Sequence, residues 1–545
     1  MAVEPLLRDS APIAWPSSDT PFWPVWQTVG AGVLLATAAA GLVALPWLWQ
    51  AAVPAEWVAL AIPLLFIRHV RGWRGESLTL LAAVAAISMA FHWAPKVLAY
   101  SMQTNDEFGL LFAAPIILWD AIRLAAPFWV AARLTTDPRV AWLPAALVAV
   151  VLEACMPGVF PWKLGYSQMA WPPLVQSVDL FGPECATFVL FAHAGVLVAA
   201  ALAIGQWCGR GATHGPATKG GTWLALAALA ICAANLAYGL AAMAWWDRQA
   251  EAAPSLRVLL VQANPEEHDG VDALRRLTRE ATSAGAAFDL ICWPECSGGS
   301  YETSLKSFAD ADKVMALSRD PRRGLRPLEN PGCHLLFGGK IYEGHPQKPR
   351  ALYQSAILLD STETILGCYH KRHLMPFGEY VPGEEWYPEI KHYFPMQDVL
   401  TEGREACVLP APAGARIGVM LCYEDMIPSA ARSLVTGSAN MLVSLINGAA
   451  FTEPLTLAQH RLLAQMRAIE CRRFLIRTAA TGETCVISPV GRVTARLPLH
   501  AEDTLAIDVP LLESRTLYGF TGNLFPVCCA AGLAAAAWRA RSRTG

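Results

Sequence analysis

The chain has few charged residues for its length. Charged residues form 16% of its 545 positions, whereas hydrophobic residues form 54% and the mean hydropathy is +0.34. Soluble domains carry about 25% charged residues, so this deficit excludes a wholly soluble protein and indicates membrane-spanning segments. The length also exceeds what one soluble core supports, so two or more units are expected. The net charge of −3 lacks the positive excess typical of nucleic-acid binding.

Cysteine spacings typical of metal binding are also lacking. The fourteen cysteines are scattered along the chain without a Cys-x-x-Cys pair. This pattern indicates neither a disulfide framework nor a zinc site. The first 20 residues are polar and rich in proline, and the first apolar run is too long for a secretory leader. We therefore expect no cleavable signal peptide.

Long apolar runs fill the first half of the chain and recur near its end. Those long enough to cross a bilayer predict eight spans, at 28–49, 53–68, 77–98, 108–132, 140–160, 180–207, 221–246 and 517–538. Tryptophans at many of their ends are typical of the membrane interface. We predict a cytoplasmic tail (1–21), a seven-helix membrane domain (22–248), a catalytic domain (249–512), and an eighth helix with a basic cytoplasmic tail (513–545).

Basic residues are divided unequally between the two sets of short loops. One set holds eleven: Arg8, Arg68, Arg71, Arg74, Arg133, Arg139, Arg210, Lys219, Arg539, Arg541 and Arg543. The opposite set holds two, Lys96 and Lys163. Because short cytoplasmic loops are enriched in Lys and Arg, both termini are predicted to be cytoplasmic. The catalytic domain is then predicted on the outer, periplasmic face of the cytoplasmic (inner) membrane.

Two features of the membrane part have open interpretations. Asp120 and Arg123 lie three residues apart inside a predicted span, hence on one helix face. An intramembrane charge is a functional candidate, although the pair could equally tie helices together. The aromatic loop 160–168, with Trp162 and Tyr166, could line a lipid-facing cleft or simply lie at the interface.

The second half of the chain is predicted to form an α/β sandwich, because strand and helix patterns alternate along it. Strands are predicted at 256–262, 288–292, 335–340, 353–359, 364–369, 417–421, 441–446, 474–479 and 484–487, and helices at 269–284 and 454–472. The apolar strand Ile417–Leu421 runs directly into Cys422. A thiol at the end of a buried strand is where such folds place nucleophiles, although buried cysteines are more often structural.

Three polar side chains, Glu295, Lys371 and Cys422, stand at the ends of apolar runs. A thiolate can attack an acyl carbon, a carboxylate can take its proton, and a cation can stabilise the oxyanion. Each residue alone has a simpler explanation, as a helix cap, a solvated lysine or a packed thiol. Together they favour acyl chemistry that requires no metal or cofactor.

The motifs around these residues resemble the nitrilase, or carbon–nitrogen hydrolase, superfamily, whose hallmark is a Glu–Lys–Cys triad. They are Trp293-Pro294-Glu295, His370-Lys371-Arg372-His373-Leu374 and Leu421-Cys422-Tyr423-Glu424. The whole chain, with seven spans before this domain and one after it, is similar to the apolipoprotein N-acyltransferase family. The segment Lys371–Pro382 carries that similarity most specifically, supported by Phe160-Pro161-Trp162, Gly165–Gln168 and Arg477–Gly482.

The resemblance implies a role for each matching residue. Cys422 is expected to be the nucleophile, Glu295 the general base and Lys371 the oxyanion stabiliser, with Lys340 as a rival for the lysine role. Three supporting residues are expected beside the thiol: Glu379, Tyr423 and Glu424. Substrate-binding candidates are Asn447, Phe451, Trp162 and Tyr166.

One segment departs from the family pattern. Where the family has Asn-Asp-x-Trp-Phe, this chain reads Asn447-Gly448-Ala449-Ala450-Phe451. The asparagine and the phenylalanine are in place, whereas the acid and the tryptophan are missing. Because this region lies near the acyl site in the family, the acyl pocket or the acceptor is expected to differ.

These residues leave three functions to distinguish. The first, implied by the resemblance, is ping-pong transfer of an acyl chain from a membrane phospholipid to the α-amine of a diacylglyceryl-cysteine lipoprotein. The second is a membrane-tethered nitrilase-type amidase or hydrolase, for which one anchor would suffice. The third is a non-catalytic protein, which the three motifs disfavour. We expect a monomer that binds no nucleic acid.

Overall fold

The computed structural model describes residues 23–208, 219–264, 270–283, 285, 287–297, 300–303, 332–345, 348–362, 364–393, 399–448, 451 and 453–542. The predicted tail 1–21 and the basic residues Arg8, Arg210 and Arg543 lie outside these ranges. The division into four segments therefore stays a prediction.

Apolar helices form the first half of the described chain. They are α1 (Trp23–Leu48), α2 (Val53–Leu65), α3 (Ile67–Val70), α4 (Trp73–Ala90), α5 (Ala94–Ser101), α6 (Asp106–Leu134), α7 (Pro138–Cys155), α8 (Val178–Phe181), α9 (Glu184–Trp207) and α10 (Lys219–Ala252). Polar caps mark where two of them begin. The Asn105 side chain accepts from the Phe108 amide, and Asp137 accepts from the Arg139 amide, which satisfies donors that the first helical turn leaves unpaired.

The predicted count of eight spans is not confirmed. Among the described residues, five helices are long and apolar enough to cross a membrane: α1 (from Gly30), α6, α7, α9 and α10. Helices α4 and α5 become a sixth span if they are counted as one, although the chain bends by 63° between them. The predicted spans at 53–68 and 517–538 correspond to shorter apolar helices, Gln50–Leu65 and Leu524–Trp538.

Two β-sheets form the second half. Their strands are β1 (Ser255–Gln262), β2 (Leu290–Cys292), β3 (Ser300–Thr303), β4 (His334–His345), β5 (Lys348–Leu359), β6 (Ile365–His370), β7 (Val408–Pro410), β8 (Arg416–Leu421), β9 (Met441–Ile446), β10 (Leu475–Ala479), β11 (Cys485–Ile487), β12 (Val493–Arg496) and β13 (Asp503–Pro510). One sheet has the order β13-β1-β2-β4-β5-β6, with β3 paired to β4. The other has the order β12-β11-β10-β9-β8-β7.

Helices cover the outer faces of both sheets. They are α11 (Gly270–Ser283), α12 (Pro428–Thr436) and α13 (Pro454–Cys471), and α14 (Leu517–Thr521) and α15 (Leu524–Ser542) follow the last strand. A core between the sheets joins residues of β1, such as Val258, to residues of β8, such as Val419. Separate cores lie under α11 and under α12 and α13. The α/β sandwich predicted from the sequence is confirmed, and its strands β5 and β6 pair as an antiparallel hairpin.

Helix α13 fastens the sandwich to the membrane helices. Its apolar residues, among them Leu463 and Met466, belong to one continuous core with residues of α1, α4 and α6. The buried Gln459 side chain donates to the Trp47 carbonyl at 3.1 Å and to the Ala90 carbonyl at 2.9 Å, and it accepts from the Trp93 indole at 2.9 Å. The two halves therefore share one packed interior.

Candidate active site

Cys422 begins a tight turn at the end of β8. It has a φ of +46°, which is unfavourable for a residue with a side chain and is typical of functional sites. Strand β8 lies between β7 and β9 in its sheet, and its residues from Ile417 onward are buried. The apolar run of this strand is therefore explained by burial on both faces. The turn Cys422–Met426 then carries Tyr423, Glu424 and Asp425.

Glu295 lies in the turn after β2 and is 5% exposed. The preceding Trp293 fixes this turn, because its amide donates to Leu336 and its buried indole donates to Thr278 of α11. Gly338 of β4 passes so close that a Cβ there would lie 2.7 Å from the Glu295 Cα. A glycine is therefore required opposite Glu295.

Lys371 directly follows β6 and is 2% exposed. Its ammonium lies 2.5 Å from Glu379 Oε1 and 3.6 Å from Glu295 Oε1. The other Glu379 oxygen accepts from the Met375 amide, and the other Glu295 oxygen accepts from the Asn447 amide. The structure thus brings two carboxylates to one buried cation.

The charges of this group act on the Cys422 thiol. Burial raises the pKa of Cys422, the Glu295 carboxylate raises it further, and the Lys371 ammonium lowers it in part. Burial also raises the pKa of Glu295, against the effect of Lys371. Burial alone would lower the pKa of Lys371, but Glu379 and Glu295 raise it well above its usual value. The resting site therefore holds a protonated thiol, which needs a base before it can attack, beside a permanent cation.

Glu424 joins the cysteine turn to the lysine segment. Its fully buried carboxylate accepts from the Leu421 amide at 2.9 Å, and from the Arg372 and His373 amides at 2.9 and 3.0 Å. It also accepts from the Tyr369 hydroxyl at 2.6 Å. Four donors to one carboxylate hold the two segments at a fixed separation.

Sequence reasoning missed a second buried cluster behind the thiol. Asp425 accepts from His460 at 2.7 Å, from Arg477 at 3.0 Å and from the Ser444 hydroxyl at 2.9 Å. These partners come from α13, β10 and β9. Ser444 and Arg477 are polar residues in strands that are mostly apolar, whereas His460 lies among other polar residues of α13. The sequence pattern therefore does not reveal that the three meet.

Two cavities adjoin at Tyr423. One, of about 1230 Å³, lies between α6 and the segments near His373 and Leu400. The other is apolar and is lined by α4, α5, α6 and loop 157–163 together with Met426. Both are lined by Val159 and Tyr423. The cysteine turn therefore faces spaces that extend among the membrane helices.

The remaining candidates lie in different places. Trp162 and Phe451 line the apolar cavity. Tyr166 is fully buried, and its hydroxyl accepts from Arg467 of α13 at 2.8 Å, so it joins the two halves of the protein. Lys340 lies inside β4. Ala449 and Ala450, in the segment that departs from the family pattern, lie outside the described residues. Within the described ranges, no cluster of three His, Cys, Asp or Glu side chains is placed to hold a metal ion.

Two family models match the chain. The carbon–nitrogen hydrolase model matches residues 257–517, which include Glu295, Lys371 and Cys422. The model of the apolipoprotein N-acyltransferase N-terminal domain matches residues 31–196. The protein is therefore an enzyme of the carbon–nitrogen hydrolase class joined to a membrane domain.

Named relatives extend the match across both halves. The apolipoprotein N-acyltransferase of Vibrio cholerae is 30% identical, with 76% of this chain and 78% of that protein covered. The enzyme of the same name from Geobacter metallireducens is 28% identical, with 85% and 82% covered. The chain belongs to the apolipoprotein N-acyltransferase family. Membership makes it a membrane-associated acyltransferase, as the sequence predicted.

Solved structures give a more distant likeness. An amidase from Nesterenkonia sp. is 18% identical, with 47% of this chain and 91% of that chain covered and a TM-score of 0.32. The family assignment rests on the sequence matches.

Proposed function

We propose that the protein transfers an acyl chain from a membrane phospholipid, through a thioester on Cys422, to the N-terminal α-amine of a diacylglyceryl-cysteine lipoprotein. One observation carries this proposal: the buried Lys371 contacts both Glu295 and Glu379 while the charges of all three act on the Cys422 thiol. This arrangement supplies a nucleophile, a base and an oxyanion stabiliser without a cofactor.

In the first half-reaction, Glu295 takes the proton of the Cys422 thiol as sulfur attacks the ester carbonyl. The Lys371 ammonium stabilises the negative oxygen of the tetrahedral intermediate. The C–O ester bond then breaks, and Glu295 returns its proton to the departing lysophospholipid oxygen. The acyl chain is left as a thioester on Cys422.

In the second half-reaction, the neutral α-amine attacks the thioester carbonyl. Glu295 takes the proton that the nitrogen loses, the C–S bond breaks, and the proton passes to the cysteine sulfur. The products are the amide and the original thiol. Glu295 thus ends each cycle deprotonated, as it began.

The two cavities suit substrates drawn from the bilayer. The apolar cavity, of about 60 Å³, is lined by rings of Trp93, Phe160, Trp162 and Phe451, and we assign a short part of the acyl chain to it. The larger cavity reaches α6 through Phe112 and Trp119, which gives room for the remainder of a lipid. An amidase that acts on soluble amides would need no such access, so this arrangement favours transfer over hydrolysis.

We also propose eight spans with both termini cytoplasmic, a monomer in the cytoplasmic membrane, and the catalytic domain on the periplasmic face. Two contacts support this orientation. Arg68 donates to the Thr136 carbonyl at 3.1 Å, so two arginine-containing loops lie on one side. Lys96, from the loops with few basic residues, contacts Glu453 of the sandwich at 2.8 Å. These contacts support a sandwich on the side opposite the arginine-rich loops, as the charge rule predicts.

The decisive experiment detects the acyl-enzyme. Purified protein is incubated with phospholipid vesicles, and the mass of the Cys422 peptide is measured before and after a diacylglyceryl-cysteine peptide is added. We expect an acyl adduct on Cys422 that disappears as the N-acylated peptide forms. Cys422→Ala removes the adduct. Cys407→Ala, which alters another partly exposed thiol, keeps it.

Two outcomes would contradict the proposal. One is full transfer by the Cys422→Ala protein, which would exclude this nucleophile. The other is turnover of a soluble amide without any phospholipid-derived adduct, which would favour hydrolase chemistry. The orientation is tested separately by fusing reporters to the C-terminus, where a periplasmic signal would overturn the proposed topology.

A further inference from the structure

The ion pair inside the membrane domain joins no two helices. Asp120 and Arg123 both belong to α6, three residues apart, and their charged atoms lie 2.5 Å from each other. They are 4% and 5% exposed. Because a pair within one helix cannot tie that helix to another, its role must lie in what else it touches.

The pair contacts loop 157–163, and Asp120 also lines the apolar cavity. The second Arg123 nitrogen donates to the Trp162 carbonyl at 3.2 Å, and the guanidinium lies 5.1 Å from the centre of the Trp162 ring. Gly158 lies so close that a Cβ there would be 3.0 Å from Arg123 Nη1 and 3.3 Å from Asp120 Oδ1. The Trp119 indole, also on α6, donates to the Pro157 carbonyl at 3.2 Å. The loop is thus held by α6 at both of its ends.

The middle of the same loop contacts the cysteine turn. The Tyr423 hydroxyl donates to the Val159 carbonyl at 2.6 Å. Tyr423 directly follows Cys422, whose backbone has the unfavourable φ of +46°. Such a conformation persists only where the surroundings hold it. A continuous chain of contacts therefore runs from the intramembrane pair, through one loop, to the residue next to the thiol.

We propose that Asp120 and Arg123 are positioning residues for acyl transfer, acting through loop 157–163 and Tyr423 on the turn that carries Cys422. The inference rests on the proposed function, since it requires Cys422 to be the acylated residue. The planar guanidinium suits this task because it presents several donors in a fixed geometry. A buried ion pair is weak evidence for stability, since apolar replacements often leave stability unchanged.

The test removes both charges together, so that no unpaired charge is left buried. In Asp120→Asn/Arg123→Met, the rate of Cys422 acylation from phospholipid vesicles is expected to fall by roughly 10- to 100-fold, as displaced catalytic groups do. The thermal unfolding midpoint is expected to stay near that of the wild type. Tyr423→Phe is expected to give a similar loss. Combining it with the double variant should add little, because both changes break one chain of contacts.

A matched control lies on the same helix. Arg133, near the other end of α6, pairs with Glu76 of α4 at 2.6 Å and has no contact with loop 157–163 among the hydrogen bonds and ion pairs of the described residues. Glu76→Gln/Arg133→Met removes another acid–arginine pair, one that is more exposed and joins α6 to α4. It should keep the acylation rate, and Tyr423→Phe should lower that rate by its full factor in this background.

Several results would overturn the inference. It fails if Asp120→Asn/Arg123→Met acylates Cys422 at the wild-type rate. It also fails if the combined variant loses acylation rate by the product of the factors for the double variant and for Tyr423→Phe. If the double variant does not fold, Arg123→Lys is the deciding variant, because lysine keeps the positive charge but lacks the planar guanidinium with its several donors. A wild-type rate of acylation in Arg123→Lys then contradicts the inference. In all these outcomes the wild-type protein still forms the acyl adduct on Cys422. If the proposed function is wrong, the wild-type protein itself forms no such adduct.

Discussion

The Tyr369 hydroxyl donates to the buried Glu424 carboxylate at 2.6 Å, and this bond joins the strand that leads to Lys371 to the turn that carries Cys422. Tyr369 lies in β6 of one sheet, and Glu424 lies in the turn that follows β8 of the other sheet. Their contact, with the three backbone amides that share the same carboxylate, sets the separation between cation and thiol. A protein that needs both groups at one carbonyl depends on this separation.

Glu424→Gln is expected to lower Cys422 acylation by about 100-fold, because displaced catalytic groups cost rates of this order. The NH₂ group of the glutamine would then face one of the groups that donate hydrogen bonds to the Glu424 carboxylate. The unmatched donor should cost about 1–3 kcal/mol of stability. Acyl-enzyme formation and thermal unfolding measure the two effects. Glu513→Gln, at an exposed pair with Arg416, is the control and should change neither quantity. Unchanged acylation in Glu424→Gln would exclude the spacing role.

Gly338→Ala is expected to displace the Glu295 turn. The added Cβ would lie 2.7 Å from the Glu295 Cα and 2.9 Å from the Cys296 amide nitrogen, so backbone must move. Overpacking of this kind costs about 1–3 kcal/mol, and the rate of acylation should fall by roughly 100-fold. Gly205→Ala, where no atom lies within 4 Å of the new Cβ, should leave the rate unchanged. A normal rate in Gly338→Ala would show that the position of Glu295 is not critical.

The acid limb of the pH–rate profile should report Glu295. Burial raises its pKa, Lys371 opposes that rise, and Glu379 adds to it, so activity should fall with decreasing pH earlier than for an ordinary glutamate. Glu379→Gln removes the contribution of a neighbouring negative charge. The pKa of Glu295 should then fall, and the acid limb should move to lower pH.

Single-turnover acylation measured across pH checks this shift. The exposed Glu405→Gln is the control and should leave the limb in place. The plateau rate of Glu379→Gln should also fall, by about tenfold or more, since Lys371 loses a charged hydrogen bond worth ~1.5–3 kcal/mol. A limb that moves to higher pH would contradict the assignment of Glu295 as the base.

Asp425 should contribute a pH-dependent part of the stability. Burial alone would raise its pKa, but His460 and Arg477 outweigh burial and lower it to about 2. A folded pKa below the unfolded value means that this stabilisation is present above about pH 4 and is lost as the pH falls towards 2. Asp425→Asn should remove that dependence. It should also cost ~3–5 kcal/mol at neutral pH, because Arg477 is left buried without its carboxylate.

Denaturant unfolding at neutral and acidic pH measures both effects. Asp247→Asn, at an exposed pair with Arg492, is the matched control and should cost less than ~1 kcal/mol. Equal losses in the two variants would mean that the Asp425 cluster does not stabilise the site.

The strands that carry the site could be predicted from the sequence, because a buried strand appears as a run of apolar residues. The run Ile417–Leu421 is apolar since β8 is buried on both faces, and Cys422 stands out at its end. The same reasoning selected Glu295 and Lys371 as candidates, each at the end of an apolar run. These features depend only on neighbouring residues, which a pattern can detect.

Long-range partners could not be predicted in this way. The four donors to Glu424 come from segments about 50 residues apart, and Asp425 meets His460 only because α13 packs behind the turn. The count of spans also depends on context. The bend at Phe91–Trp93 divides one apolar run into α4 and α5. Pro95, in the first turn of α5, marks this break in the sequence, because a proline cannot continue the preceding helix. Gln459 of α13 bonds to the Ala90 carbonyl at the end of α4.

Gln459 has a consequence for how the protein unfolds. Its side chain bonds to the ends of α1 and α4 and to Trp93, and apolar residues of α13 share one core with the membrane helices. Separating the sandwich from those helices would leave buried polar groups without partners, at a cost of about 1–3 kcal/mol for each group. The two halves are therefore expected to unfold in one cooperative transition and not as separate domains.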